Sequence, residues 1–126
     1  MTIAQFDLGR VTCLNLQGRI VLGDGDDLLK DRVFALLSQE RTRLLLNLEE
    51  ITYMDTSGLA ALVYVKITAE RRGGDVKLLH LPARIHNLLV ITKLTTTFDV
   101  FESEADALRS FCEGNEPAAA PADIEG

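Results

Sequence analysis

The sequence has few residues of the kinds that build metal sites or disulfides: two cysteines, two histidines and no tryptophan among 126 residues. Cys13 and Cys112 form no CxxC pair, and neither has a Cys or His partner at metal-ligand spacing. His80 and His86 have no nearby cysteine and no third candidate ligand. The sequence therefore predicts two reduced, packed thiols, no metal site and no cofactor.

Positive charge is also scarce. The formal net charge is −6 and the sequence pI is about 4.8, so no basic surface is expected to gather nucleic acid or anionic lipid. The N-terminal stretch "MTIAQFDLGRV" lacks the basic start and apolar run of a secretory signal. No window approaches the roughly 20 apolar residues of a membrane span. We expect a cytoplasmic protein that neither binds nucleic acid nor inserts into a membrane.

Motifs that support catalysis are missing as well. No GxxxxGK[ST] phosphate loop accompanies the apolar strand "LLLNLEEITYMD". The acidic string 23–27 lacks the distal ligands and the bidentate Glu of a calcium loop. Ser57 is preceded at two residues by Asp55 rather than the Gly of a GxSxG elbow, and only His80 or His86 could act as its base. The sequence predicts that the protein is not an enzyme.

A content of 47% hydrophobic residues is enough for one ordinary core. Periodicity predicts the order β-β-α-β-α-β-α-β-α, an α/β fold whose mixed sheet has an N-terminal hairpin, then parallel strands joined by right-handed crossovers. "RLLLNLEEI" is nearly continuous in apolar residues, which is typical of a middle strand. One domain over 1–113 and a disordered tail over 114–126 are predicted. The expected strands are "TIAQFDLG", "RVTCLNLQG", "RLLLNLEEI", "DVKLLHL" and "TFDVF". The expected helices are one within "RIVLGDGDDLLKDRVFALLSQE" with Asp24, Asp26 and Asp27 near its N-terminal end, 58–72, "PARIHNLLVIT" with Pro82 at its first position, and "SEADALRSFCEG" capped by Ser103.

The stretch "ITYMDTSGLAALVYV" places Asp55, Thr56 and Ser57 in a row before Gly58, between a strand and a helix. Each of the three can cap a helix N-terminus, and one is sufficient for that. The following Gly would let another group approach the backbone closely. From the residues alone, a cap and a functional site are equally well supported.

The helix that follows has a stripe formed by Leu59, Val63, Lys66 and Glu70 at helical spacing. Lys66 and Glu70 are expected to be an exposed i,i+4 pair. Leu59 and Val63 would then be exposed beside the hydroxyls and would suit docking on a partner. The alternative is a first turn buried on all sides by neighbouring loops, and the sequence leaves both open.

The same stretch carries a family resemblance. "LLLNLEEITYMDTSGLAALV" resembles the signature of the STAS domain, in particular of the bacterial anti-sigma factor antagonists. "GGDVKLLHLPARIHNLLVITKLTTTFDVFESEADAL" is similar to the later half of that family, so the resemblance covers residues 1 to about 113.

The resemblance implies a non-enzymatic switch that regulates transcription indirectly. A GHKL-type Ser/Thr kinase, which is also the anti-sigma factor, phosphorylates such an antagonist, and a PP2C-type phosphatase resets it. The unphosphorylated form binds the kinase and releases the sigma factor. The resemblance places the phosphate acceptor at Thr56, with Ser57 as the alternative, Asp55 as the preceding acid and Gly58 as the turn. With Leu59 and Val63 of the helix stripe, and Asp24 of the acidic string, these four are the expected partner-binding residues.

Two positions depart from the family pattern. The commonest acceptor in the family is Ser, whereas this chain has Thr56, whose methyl group is bulkier in a kinase active site. Many members have an Asp three residues after the Gly that ends the second strand, and here Val21 occupies that position, with Asp24 three residues further on. An alternative function is a STAS scaffold that is not phosphorylated, such as a stressosome-like component or the partner of a lipid-transport ATPase. The oligomeric state is not predicted.

Overall fold

The structure, a computed structural model, describes the backbone of residues 1–115 and the side chains of residues 1–111. Nine elements alternate in the predicted order β-β-α-β-α-β-α-β-α, which confirms the α/β expectation. The strands are β1 (Thr2–Leu8), β2 (Val11–Ile20), β3 (Arg43–Met54), β4 (Asp75–Leu79) and β5 (Val100–Phe101). The helices are α1 (Asp26–Ser38), α2 (Thr56–Arg71), α3 (Ala83–Ile91) and α4 (Glu104–Asn115).

The five strands form one mixed sheet in the order β1-β2-β3-β4-β5. β1 and β2 make the predicted antiparallel hairpin, in which Leu8 pairs with Val11. The pairs β2–β3, β3–β4 and β4–β5 are parallel. β3 is therefore the middle strand, as its apolar run predicts. Because β2, β3 and β4 are parallel, their carboxyl ends lie at the same edge of the sheet.

Both faces of β3 are covered. Leu44, Leu46 and Leu48 belong to the larger core cluster, which also contains buried side chains of α1, α2 and α3. Leu45 points to the opposite face, where it joins a smaller cluster that includes Phe111 of α4. Since successive strand residues alternate between faces, a strand buried on both sides needs the continuous apolar run seen in the sequence.

Cys13 lies in the smaller cluster and is 3% exposed, which confirms that it is a packed thiol. Burial, with a smaller contribution from the charge of Glu104, raises its pKa to about 11. It is therefore protonated and unreactive at neutral pH. The side chain of Cys112 lies outside the described residues.

Several boundaries differ from the predicted ones. β2 does not end at Gly18 but continues to Ile20, because Gly18 adopts a φ of 111° at a shift in the β2–β3 register and lets the strand resume. Pro82 precedes the first residue of α3 as its N-cap rather than opening the helix. α4 includes the first two residues of the predicted tail, and residues 116–126 lie outside the described residues. Within 1–115, no helix is long and apolar enough to cross a membrane.

The expectation that Lys66 forms an exposed pair with Glu70 is wrong. Lys66 is 7% exposed, and its Nζ lies 2.7 Å from Oδ1 of Asp75 and 3.4 Å from Oε2 of Glu70. The helix turns this side chain towards the start of β4, where Asp75 neutralises its charge. The pair therefore ties α2 to the sheet.

Candidate functional site

The "MDTSGL" stretch lies where β3 ends and α2 begins, and Asp55 is the helix cap. Its backbone is extended, and its Oδ1 accepts a hydrogen bond from the backbone N–H of Gly58 at 2.9 Å. Its own carbonyl accepts the first helical hydrogen bond, from the N–H of Leu59 at 3.0 Å. Because Asp55 alone caps the helix, neither Thr56 nor Ser57 is needed for that role.

The second carboxylate oxygen of Asp55 reaches across to the loop between β2 and α1. Oδ2 accepts a hydrogen bond from the backbone N–H of Leu22 at 3.2 Å, and the N–H of Asp55 donates to the carbonyl of Ile20 at 3.4 Å. The backbone N–H groups that donate to the carboxylate, that of Gly58 foremost and that of Leu22 among them, lower the pKa of Asp55, although partial desolvation opposes them. Asp55 is therefore ionised at neutral pH and joins two segments distant in sequence.

The loop 21–25 is held by its own hydrogen bonds. Val21 and Asp24 exchange two backbone hydrogen bonds of 2.8 and 2.9 Å across a tight turn. The N–H of Gly23 donates to Oδ1 of the buried Asp26 at 3.0 Å. The turn leaves Leu22 at its tip with 75% of its surface exposed. A fixed loop thus presents an apolar side chain to solvent beside Asp55.

Gly58 is required by the chain's own packing. A Cβ at this position would overlap the carbonyl oxygen of Ile20, and it would lie 2.8 Å from Cγ of Met54. The close approach expected at this Gly is therefore made by the end of β2. Gly58 brings the first turn of α2 against β2 and so sets the distance between Thr56 and the loop 21–25.

The two hydroxyl residues differ in exposure. Thr56, the first residue of α2, is exposed, whereas Ser57 is half-buried. Neither hydroxyl makes a hydrogen bond to another group within the described part of the chain. An exposed hydroxyl at a helix N-terminus lies close to backbone N–H groups that the helix leaves unused, which is a favourable place for a phosphoryl group.

The first turn of α2 matches neither alternative fully, because Thr56 and Ala60 are exposed and Leu59 is not. Leu59 is 5% exposed and lies in the larger core cluster, so the expectation that it offers a docking surface is wrong; the helix turns it towards the sheet. Val63 is half-buried against the same cluster. Tyr64 and Ile67, further along α2, are 47% and 42% exposed.

Asp24 is exposed and lies in the same loop as Leu22. One of its carboxylate oxygens is 3.5 Å from a guanidinium nitrogen of Arg19. Val21, at the position where the family pattern has an acid, is half-buried and committed to the turn. Leu22 was missed by sequence reasoning, because one apolar residue among Gly and Asp belongs to no periodic pattern; its place beside the site becomes visible only when the fold brings β2 next to β3.

The histidines lie outside this arrangement. His86 is exposed on α3 and lines a cavity of about 470 Å³ with Leu89 and Phe98. His80 directly follows β4 and has a φ of 54°. No hydrogen bond joins either ring to Ser57 within residues 1–111, and that part of the chain contains no group of three His, Cys, Asp or Glu that could hold a metal ion.

The arrangement can be compared with known families. The model of the family described as "STAS domain" matches residues 7–107. No curated protein sequence matches the chain.

Solved structures with the same fold are similar over most of the chain. An anti-sigma factor antagonist from Mycobacterium paratuberculosis is 18% identical, with a TM-score of 0.75 over 88% of this chain and 93% of that one. The antagonist SpoIIAA in its unphosphorylated form is 14% identical, with a TM-score of 0.68 over 90% and 99%. The phosphorylated form of the Bacillus SpoIIAA is 16% identical, with a TM-score of 0.68 over 86% and 97%. At these identities the likeness establishes the fold alone.

Proposed function

Since this chain belongs to the STAS domain family, we propose that it is an anti-sigma factor antagonist whose binding to a GHKL-type Ser/Thr kinase is controlled by phosphorylation. The kinase is the anti-sigma factor, so binding releases a sigma factor and changes transcription indirectly. A PP2C-type phosphatase restores the binding form. The protein acts by occupying its partner, without catalysis or a cofactor of its own, in the cytoplasm.

The observation that carries this proposal is the exposed Thr56 hydroxyl, one residue from the capping carboxylate of Asp55. Solved structures of the same fold are described as anti-sigma factor antagonists, and one of them is in a phosphorylated form. A kinase must bring its ATP to the acceptor oxygen, so an exposed hydroxyl is a better acceptor than a half-buried one. We therefore assign the phosphate to Thr56 in preference to Ser57.

Phosphate at Thr56 would add about −1.5 to −2 charges beside an ionised Asp55. The first-turn N–H groups and the helix dipole favour a negative group there, so the fold tolerates the modification. A partner that packs on this surface would have to desolvate both charges, which is costly. Phosphorylation thus breaks the complex while the domain remains folded.

The proposed partner surface combines this charge switch with an apolar anchor. Leu22 is fixed by the turn and by its hydrogen bond to Asp55. An anchor that is already ordered loses little entropy on binding. Asp24, in the same loop, adds a half-exposed carboxylate at the rim, which a basic group of the partner would share with Arg19 and the N-terminal ammonium group. Ser57 and the half-buried Val63 contribute at the edge of this surface.

Phosphorylation is tested with the kinase that the native cell supplies. Wild-type chain, Thr56→Ala, Ser57→Ala and Thr56→Ser are incubated with that kinase and ATP, and intact mass and fragment spectra are recorded. We expect one phosphoryl group on the wild type, none on Thr56→Ala, and restored incorporation on Thr56→Ser. Incorporation retained in Thr56→Ala and lost in Ser57→Ala would move the acceptor to Ser57. An unchanged mass with a kinase active on another substrate would refute the switch.

Binding is tested by affinity capture from the same cells with wild-type, Thr56→Glu and Thr56→Gln chains. Gln has nearly the shape of Glu without its charge, so it separates the effect of charge from that of size. We expect the wild-type and Thr56→Gln chains to capture the kinase, and the Thr56→Glu chain to lose it. A stable complex that is equally strong with Thr56→Glu would instead indicate the non-phosphorylated STAS scaffold.

A further inference from the structure

The edge strand β1 has an outer side that no other strand covers. It lies at one end of the sheet order, and within the described residues it pairs with β2 alone. β1 is seven residues long, whereas β5, at the other edge of the sheet, has only two residues. Every side chain of β1 is exposed or half-buried. The sheet therefore has one very short edge and one long, accessible edge.

β1 lacks the features by which sheet edges usually avoid pairing with another chain. Its sequence, "TIAQFDL", contains no Pro and no Lys, and its pairing with β2 runs without a bulge. Its single charge, on Asp7, is neutralised by the guanidinium of Arg41, which lies 2.8 Å from Oδ1 of Asp7. β1 is therefore open to pairing with a further strand.

The turn between β1 and β2 determines which backbone groups of β1 point outward. Two residues, Gly9 and Arg10, connect the strands, and Leu8 pairs with Val11. Gly9 has a φ of 73°, which fits the first central position of a type II′ turn. Such a turn is closed by a hydrogen-bonded pair, and hydrogen-bonded pairs alternate along an antiparallel ladder. The N–H and C=O groups that point away from β2 are therefore those of Ile3, Gln5 and Asp7.

A second copy of β1 complements this edge. Two antiparallel copies related by a two-fold axis at Gln5 overlap over the whole length of the strand. In that register Ile3 lies opposite Asp7 of the second copy, and Gln5 lies opposite its own counterpart, so the outward groups of both copies hydrogen-bond to each other. The two Asp7 carboxylates are four residues apart along the paired strands, or about 14 Å. Their repulsion is therefore screened at physiological salt, where the Debye length is about 8 Å.

The side chains of this register also complement each other. Phe6 lies opposite the buried Cys13 of β2, on the sheet face of the smaller cluster, and is 50% exposed. In the paired strands it would lie opposite Ala4 of the second copy, whose small side chain leaves room for the ring. The two Phe6 rings would be diagonal neighbours, a separation that aromatic side chains can bridge. Pairing would thus remove an exposed aromatic ring from water.

We propose that this chain forms a two-fold symmetric homodimer in which the β1 strands of two copies pair antiparallel about Gln5 and join the two sheets into one. The proposal is independent of phosphorylation, since Thr56 follows β3, and β2 separates β3 from β1. An interface built on one strand from each copy is small, and small interfaces are typical of weak or transient complexes. We therefore expect a dimer that dissociates on dilution.

Sedimentation velocity at a series of concentrations tests the association. We expect the average mass of the wild type to rise from 13.9 kDa towards twice that value. Gln5→Lys places two like charges opposite each other at the axis and should weaken the dimer about tenfold or more. Gln17→Lys is the matched control and should dimerise like the wild type, because Gln17 is exposed on β2 and gains the same charge away from the edge. A wild type that stays monomeric up to millimolar concentration, or equal weakening in both variants, would overturn the proposal.

Amide hydrogen exchange of the wild type locates the interface without any substitution. The amides of Ile3, Gln5 and Asp7 should exchange quickly in dilute protein and become protected as the concentration rises. The amides of Ala4 and Phe6, which face β2, should be protected at every concentration. A dimer that leaves the three outward amides unprotected would overturn the proposal, because the copies would then meet elsewhere. Protection of the same amides in dilute, monomeric protein would also overturn it, because the chain would then cover its own edge.

Discussion

Asp55 and Leu22 are 33 positions apart in the sequence, yet the carboxylate of one holds the backbone N–H of the other at 3.2 Å. The same carboxylate caps α2 through Gly58. One ionised group therefore fixes both the helix that carries Thr56 and the loop that presents Leu22. A phosphoryl group at Thr56 would therefore repel the carboxylate that holds both α2 and the loop containing Leu22.

The first prediction concerns acid. Because the pKa of Asp55 is lowered in the folded state, its contribution to stability is present above the ordinary Asp pKa of about 3.9 and is lost as the pH falls through the lower, folded value. Asp55→Asn keeps a capping oxygen but does not titrate. We expect the wild type to lose stability relative to Asp55→Asn as the pH falls below about 4, measured by urea unfolding at a series of pH values. A difference between the two chains that does not change with pH would contradict the assignment.

The second prediction concerns Gly58. Ala is the better helix former, so Gly58→Ala would stabilise an unhindered helix by up to about 1 kcal/mol. Here the added methyl overlaps the Ile20 carbonyl, and such overpacking costs about 1–3 kcal/mol. We expect net destabilisation by denaturant unfolding, together with shifted amide signals at Leu22. Gly73→Ala is the control. Gly73 has a φ of 81°, which strains any residue with a Cβ, but no atom lies near the position of that Cβ. The Gly73→Ala chain should therefore be less stable, while the amide signal of Leu22 stays unchanged. A more stable Gly58→Ala chain would disprove the contact.

Sequence patterns predicted the hairpin, the middle strand and the place of the site, because each depends on local signals: a turn around Gly9, the apolar run of β3, and small polar residues at a strand-to-helix junction. They failed where the cause is tertiary. Periodicity placed Leu59 and Lys66 in one stripe, but it could not show that the sheet lies on that side of α2. Likewise, nothing near Leu22 indicates that Asp55 holds its backbone.

The third prediction concerns the buried Lys66. Burial lowers its pKa, but the hydrogen bond and charge of Asp75, with Glu70, outweigh this and raise it. The stability from this group is therefore complete below the ordinary Lys pKa and is lost as the pH rises through the folded value. Asp75→Asn removes the closest acid and should destabilise the protein by about 1–3 kcal/mol at neutral pH. Glu70→Gln, at a side chain that is 51% exposed, should cost less than about 0.5 kcal/mol. Urea unfolding measures both losses. Equal losses of unfolding free energy in Asp75→Asn and Glu70→Gln would mean that burial of the Lys66–Asp75 pair has no effect on stability.

The last prediction concerns Leu22 and rests on the proposed binding function. Burying a leucine side chain contributes about 1.5–3 kcal/mol, which corresponds to at least about a tenfold change in affinity. Leu22→Ser should therefore weaken binding of the captured partner about tenfold or more, measured by titration calorimetry. Its stability should hardly change, since the side chain is already 75% exposed. Ile91 is the matched control: it is 76% exposed at the end of α3, so Ile91→Ser removes a similarly exposed apolar side chain that belongs neither to the loop 21–25 nor to α2. Affinity lost equally in both variants would show that general surface hydrophobicity drives binding. Affinity lost only in Leu22→Ser would identify the loop held by Asp55 as the anchor.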